Sequence, residues 1–362
     1  MDKRIEELLK MAVANKASDI HLLAGATPKL RVNGEMIEIA NFSAGNETEM
    51  AQIILSLAPK VLVDEFESKK ELDFSVKIDE ARFRANVFLV QGRVAAALRV
   101  VASVVPPLSE LNMPDILLNI IDRKQGFILV TGPTGHGKST TVASLLDSIN
   151  HNKNVHIVTI EDPIEYQLKP VKALISQREV GFDTNGFGPA LRSVLRQDPN
   201  VVFVGEMRDL ETIGSALTIA ETGHLVFSTL HTNSASQTID RIVDVFPEGS
   251  QDQIRVQLAE TLTAVISQRL VPAVDGGRIP ALELMVVTPA IKNIIREGKT
   301  FMIDNVISTS ADAGMISLEA YLAMLVKKGK ITQEVAESYC LRPTELQNRL
   351  IGKVTKDDKV FI

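Results

Sequence analysis

Gly132-Pro133-Thr134-Gly135-His136-Gly137-Lys138-Ser139-Thr140 fits G-x-x-x-x-G-K-[ST], a glycine-rich loop that cradles nucleotide phosphates. The apolar run Phe127 to Thr131 ahead of it reads as a buried strand, and Thr141 to Leu146 behind it reads as a helix. The motif acquires a mechanism in that strand–loop–helix setting. Glycines let backbone N–H groups turn toward an anion, and the helix N-terminus adds a positive dipole end. Lys138 is placed to reach the β- and γ-phosphates, and Ser139 to hold Mg²⁺. A glycine-rich turn that binds nothing is the bland alternative, and the flanking strand and helix argue against it.

Outward from the loop, strand and helix alternate, the signature of a parallel sheet. The expected strands are Phe127 to Thr131, Val155 to Ile160, Val201 to Val204, Leu225 to Thr229 and Leu282 to Val287. Leu210 to Thr222 is an expected helix that Gly223 ends. From Pro289 onward the pattern is helical only. Toward the N-terminus, Ile5, Leu8, Leu9, Ala12 and Val13 fall at helical spacing. Lys29 to Ile39 reads as a hairpin about Asn33-Gly34, and 49–57 and 60–67 read as helices. Phe74 to Val76, Phe83 to Val90 and Val94 to Val101 read as a meander. Paired prolines at Pro106-Pro107 mark a linker. The expected organisation is therefore a small α/β domain at 1–103, a linker at 104–114, a nucleotide-binding α/β domain at 115–288 and a helical region at 289–362.

Composition narrows the classes. The 362 residues are 45% hydrophobic and 23% charged, ordinary for a soluble globular protein of two or three domains. A net charge of −6 gives no global pull toward nucleic acid or anionic membrane. Aromatic content of 4% without Trp weakens any base-stacking surface. The single cysteine, Cys340, rules out a disulfide framework and a Cys-rich zinc module, and it fits a reduced cytosolic setting. Met1 to Glu7 lacks the apolar core of a signal peptide, and no segment approaches the ~18 apolar residues of a membrane-spanning helix. Any membrane role is expected to be peripheral.

Hydrolysis needs more than a phosphate loop: a carboxylate for the metal and a group that positions water. Val201 to Val204 runs into Gly205-Glu206, and Val158 to Ile160 runs into Glu161-Asp162-Pro163-Ile164-Glu165. Ligands of open α/β sheets sit outside the carboxyl ends of the strands, so both acidic turns point toward the crevice of the loop. A solvated turn, or a helix cap with Asp162-Pro163 as cap and first helical residue, is the competing account of the second. His224 and His231 bracket the strand Leu225 to Thr229. His231, at its carboxyl end, is the better candidate for the γ-phosphate or the attacking water.

Taken in order, four stretches resemble the sequence boxes of the type II/IV secretion ATPase superfamily, and within it the type IV pilus retraction ATPases. They are the phosphate loop, Thr159 to Tyr166, Leu195 through Asp209, and Ala220 through Thr232. Ala17 to Leu22 and Arg82 to Asn86 resemble the family's N-terminal domain. The resemblance implies a PAS-like N-terminal domain, a RecA-like P-loop NTPase domain and C-terminal helices, assembled as a homohexamer. It implies that ATP and Mg²⁺ are bound, that Glu165 activates water, that Glu206 lies near Mg²⁺, and that His224 and His231 stand at the histidine-box positions. Arg84 and Arg99 match arginines that meet the phosphates, supplying the cations beyond Lys138 that a phosphoryl transition state needs.

Retraction, rather than extension or secretion, is implied by the short chain, the single cysteine and Ala290 to Lys299, which is similar to a retraction-specific helix. Lys292 stands where that family has Arg, and His136 where relatives have a small Ser. A titratable ring beside the phosphates is expected to make turnover slower or pH-dependent. The implied role is a cytoplasmic motor at the inner face of the cell membrane, acting with an inner-membrane pilus platform protein and not on nucleic acid. A RecA-like nucleic-acid motor and a nucleotide-gated scaffold are the competing classes, marked by DNA-stimulated hydrolysis and by indifference to Glu165→Gln; within the family, an extension or secretion ATPase and an accessory retraction paralogue are the alternatives.

Overall fold

The first hundred residues build one antiparallel sheet from six strands: β1 (Asp19–Leu23), β2 (Lys29–Val32), β3 (Glu35–Glu38), β4 (Glu71–Ile78), β5 (Ala81–Val90) and β6 (Arg93–Val101). Their order across the sheet is β3-β2-β1-β6-β5-β4. The protein is described by a computed structural model that covers residues 1–352 other than 33, 40, 41, 43–45, 80, 102, 103 and 112. Asn33 of the expected turn lies outside the described residues. In β4 the inward residues Leu72, Phe74, Val76 and Ile78 alternate with outward ones, so one face packs and the other is left to solvent. The buried face meets the helices Lys3–Ala14, Glu47–Leu55 and Lys60–Lys69 through Ile5, Leu8, Leu9, Ile53, Ile54 and Phe66. Val13, counted with the apolar stripe, is exposed.

Two compact units divide the chain: Met1–Val104 with Glu165–Gln167, and Val105–Ile164 with Leu168 onward. The second contains a seven-stranded sheet of β7 (Gly126–Thr131), β8 (His156–Glu161), β9 (Leu174–Glu179), β10 (Val201–Val204), β11 (Leu225–Leu230), β12 (Leu262–Pro272) and β13 (Arg278–Val286). The order is β13-β12-β7-β11-β10-β8-β9, parallel except for the antiparallel edge strand β13. Both faces are covered. Phe127 and Leu129 of β7 pack with the helices Leu210–Glu221, Ala235–Asp244 and Glu248–Thr261. Ile128 and Val130 pack with Lys138–Asn152 and Leu318–Lys327. A strand buried on both sides has no reason to alternate, which is why β7, β10 and β11 read as continuous apolar runs. This is the RecA-like α/β arrangement.

The helix Leu210–Glu221 is capped by Asp209 and ends before Gly223, whose φ of +95° stops it where the sequence placed the stop. The Asp162-Pro163 pair opens no helix; its peptide bond is cis and the chain runs irregularly to β9. That overturns the cap reading of the acidic turn.

A buried ionic cluster ties the C-terminal helices to the sheet. Arg342 donates to Glu319 Oε2 at 2.8 Å and to Glu283 Oε2 at 3.2 Å, and lies 3.0 Å from Asp304 Oδ2 and 3.2 Å from Glu345 Oε2. Burial pushes the Glu283 carboxyl up to about 7, although the Ala235 N–H and the Arg342 charge pull the other way. Folded, Glu283 holds its proton in a range where an unfolded glutamate, at 4.5, has released it. Its contribution to stability is therefore complete below 4.5 and is lost as pH rises toward about 7. Glu283→Gln is expected to flatten that part of the stability profile, measured as denaturation midpoints between about pH 5 and about pH 8. Parallel profiles for the two proteins would contradict the assignment.

Candidate active site

Strand order decides which side chains meet. β11 lies between β7 and β10, so their carboxyl ends stand in line. Gly132 follows β7, His231 follows β11 and Glu206 stands two residues beyond β10. His231 must then fall between the loop and the acid. Its Nε2 lies 3.0 Å from Glu206 Oε1. A carboxylate only accepts, so Nε2 is the donor to Glu206, and Nδ1 faces the loop. Thr134 Oγ1 is 3.3 Å and Lys138 Nζ 3.5 Å from that Nδ1.

Backbone contacts fix these ends. Gly132 N–H donates to Leu230 O, Met207 N–H to Thr229 O and Thr229 Oγ1 to Gly205 O. Gly132 has φ +142°, and a Cβ there would stand 2.2 Å from Gln268 O of β12, so only glycine fits. A Cβ on Gly205 would press on Ile160 O at 3.2 Å and Glu161 Cα at 3.3 Å, at the ends of β10 and β8.

Lys138 is buried, and its Nζ donates to Gly132 O at 2.8 Å and Pro133 O at 3.0 Å, across the mouth of its own loop. The helix it starts has Gly137 as N-cap at φ +79° and no side-chain cap. No N-cap side chain stands between the loop and this helix N-terminus, whose positive dipole end suits phosphate. Burial pushes the Glu206 carboxyl up, but the Arg208 hydrogen bond and the His231, Arg208 and Lys138 charges outweigh it and hold the group below its ordinary value. Glu206 is therefore an ionised oxygen ligand near neutral pH. Arg208, largely exposed, donates to Glu206 Oε2 at 2.7 Å. Sequence reasoning passed over Arg208; the only signal was a basic residue two places beyond a strand-end acid.

Among the described residues no group of three or more His, Cys, Asp or Glu converges on a metal site. The Ser139 hydroxyl and the Glu206 carboxylate are the hard oxygen donors here that would suit Mg²⁺ beside a bound nucleotide.

The second unit brings together Lys138, Thr134, His231 and Glu206. It separates His224, which lies at the other end of the six-residue β11, roughly 20 Å along the strand. There the His224 ring meets Ile219 O at 3.0 Å and closes the end of the helix Leu210–Glu221. The turn after β8 begins three strand positions from β7, about 14 Å by strand spacing. Of its carboxylates, Glu161 is buried and accepts from Thr159 Oγ1 at 2.6 Å and Gln177 Nε2 at 3.1 Å. Glu165 is exposed and groups with the first unit. So do Arg84 and Arg99, which face each other as register partners on β5 and β6, with Arg99 bonded to Asp19 at 2.9 Å.

His136 does not project beside the phosphate site as a free ring. Its Nδ1 accepts from Leu270 N–H of β12 at 2.9 Å. Partial burial, then the charges of Arg269, Arg278 and Lys138, hold it below the usual histidine value. Lys292 keeps a role despite standing in place of Arg: it donates to Glu260 Oε2 at 2.8 Å, while Arg296 donates to Glu260 Oε1 at 3.0 Å.

The family described as Type II/IV secretion system protein matches residues 1–316. The type IV pilus retractation ATPase PilT of Pseudomonas aeruginosa is 47% identical over 333 residues, 92% of this chain and 96% of that protein. A twitching motility protein of Neisseria gonorrhoeae is 44% identical over 334 residues, 92% of this chain and 89% of its own length. The crystal structure of the pilus retraction motor PilT with bound ADP superimposes with a TM-score of 0.89 at 47% identity, covering 95% of this chain and 99% of that one.

Proposed function

This chain belongs to the type II/IV secretion system protein family, and on that premise we propose that it is an ATP-hydrolysing motor that drives type IV pilus retraction by pilin disassembly. The observation that carries the reading is the run of contacts from Lys138 through His231 to Glu206 across three adjoining strand ends. The loop N–H groups and Lys138 grip the triphosphate. Ser139 and Glu206 hold Mg²⁺, which when bound neutralises charge developing on the transferred phosphoryl group. His231 keeps Glu206 oriented through Nε2 and faces the loop with Nδ1. By its place in the acidic box, Glu165 is the residue that orients the attacking water.

Arg84 and Arg99 supply further cations. They face each other as register partners on β5 and β6, with Asp19 already bonded to Arg99, and the family resemblance is what assigns them to the phosphates. The motor works as a homohexamer in the cytoplasm, at the inner face of the membrane, against a platform protein of the pilus base. No helix among the described residues is long and apolar enough to cross a membrane.

Deleting the gene in its host tests this role. Cells are expected to keep or accumulate surface pili and to lose twitching movement. Loss of pili would instead assign the chain to extension.

A further inference from the structure

β12 outruns its neighbour. It pairs with β7 as far as Ser267 beside Thr131, where β7 ends and the phosphate loop begins, yet it continues to Pro272 along β13. Past Ser267 the backbone groups on its β7 side have lost their ladder. Backbone donors at such a place need another acceptor. Leu270 N–H finds it in the loop, at His136 Nδ1, 2.9 Å away.

The same stretch grips the loop twice more. Gln268 Nε2 donates to His136 O at 2.9 Å, while its Oε1 accepts from Thr141 Oγ1 at 2.6 Å, in the first turn of the helix that the loop starts. Arg278 of β13 reaches Gly135 O at 3.4 Å. Gln268 thus joins the loop to its helix, while the His136 side chain runs the other way, from the loop to the backbone of β12.

We propose that His136 is a positioning residue that holds the phosphate loop in its nucleotide-receiving shape by accepting the Leu270 N–H through Nδ1, making β12 the template on which the loop is set. The inference rests on the ATPase reading above and deepens it. The charged groups around the ring are Arg269 and Arg278 of the hairpin and Lys138 of the loop itself, all cationic. They favour the neutral ring, which is the form with an acceptor at Nδ1.

Asparagine and glutamine separate this role from simple space filling. Asn carries its carbonyl oxygen at the δ position, where the His acceptor stands, whereas Gln carries its oxygen one bond farther out, at the height of Nε2. In the full-length chain, His136→Ala and His136→Gln are expected to raise the Kd for fluorescent ATP and the KM for ATP about tenfold, the cost of one unmet backbone donor. His136→Asn is expected to recover most of that loss. Melting without nucleotide is recorded for each variant.

Equal weakening by Asn and Gln, or no weakening by Ala, would overturn the role of Nδ1. Should the Ala protein not fold, the Asn against Gln comparison still decides. Failure of the unsubstituted chain to bind fluorescent ATP is a separate result, which would strike the ATPase reading itself.

Discussion

Lys138→Ala is expected to lower ATP hydrolysis by about a thousandfold or more. The side chain is buried beneath its own loop, with Nζ on Gly132 O and Pro133 O and 3.5 Å from His231 Nδ1. It is the one cation that the loop itself contributes, and it stands where phosphoryl charge is expected to develop. Phosphoryl oxygens gain little from a solvated ammonium group but considerably more from one held buried in place, so its loss removes a preorganised charge that no other residue of the loop supplies. Fold stability should change less than activity, because Gly132 O and Pro133 O can turn to water once the side chain is gone. Phosphate release at saturating ATP, beside a melting curve, checks both halves. A rate within tenfold of the unsubstituted protein would contradict the placement.

Arg342→Ala is expected to produce the largest loss of stability, about 3–5 kcal/mol. Glu319 and Glu283 are fully buried, and Arg342 reaches both with one nitrogen, at 2.8 and 3.2 Å. Glu319 Oε1 also accepts the Leu341 and Arg342 N–H groups at 2.9 Å each. Without the guanidinium Glu283 keeps its proton, and Glu319 is left buried without the partner that its Oε2 now meets. The planar fork matters too, since lysine offers a single point of donation to partners on several sides. Denaturant unfolding of Arg342→Ala gives the loss directly. Adding Glu319→Gln should restore part of it, because the two changes act on one network. A loss below about 1 kcal/mol would mean that the cluster is solvated after all.

Much of the catalytic unit was legible because burial on both faces writes itself as continuous apolar runs. β7, β10 and β11 were found within one residue of their ends, and the phosphate loop announced itself by glycine spacing. β12 was missed. Its sequence mixes Ser267, Gln268 and Arg269 into an apolar run, and the helix Glu248–Thr261 passes straight into it at Leu262 without a glycine or proline between. The edge strand β9, Leu-Ile-Ser-Gln-Arg-Glu, carries too little apolar pattern to be told from a loop. β1, Asp-Ile-His-Leu-Leu, was not read as a strand; unlike β2 and β3 it has no Asn-Gly turn beside it to mark it.

At the site, Lys138, Glu206 and His231 were each readable from a strand-end position. Their meeting was not, since it depends on β11 lying between β7 and β10. His224, of the same histidine box, stands at the opposite end of β11 from His231, as its place in the sequence implies. The hold of His136 on Leu270 joins residues 134 apart, and that of Arg342 on Glu283 residues 59 apart. No local pattern encodes either.

Glu206→Gln tests the central claim, that hydrolysis runs on the carboxylate bonded to His231 beside the phosphate loop. The amide keeps the shape and one acceptor but removes the charge that suits Mg²⁺. Phosphate release with Mg²⁺ and ATP should fall by about a hundredfold or more while fluorescent ATP still binds. A rate within twofold of the unsubstituted protein would contradict the account.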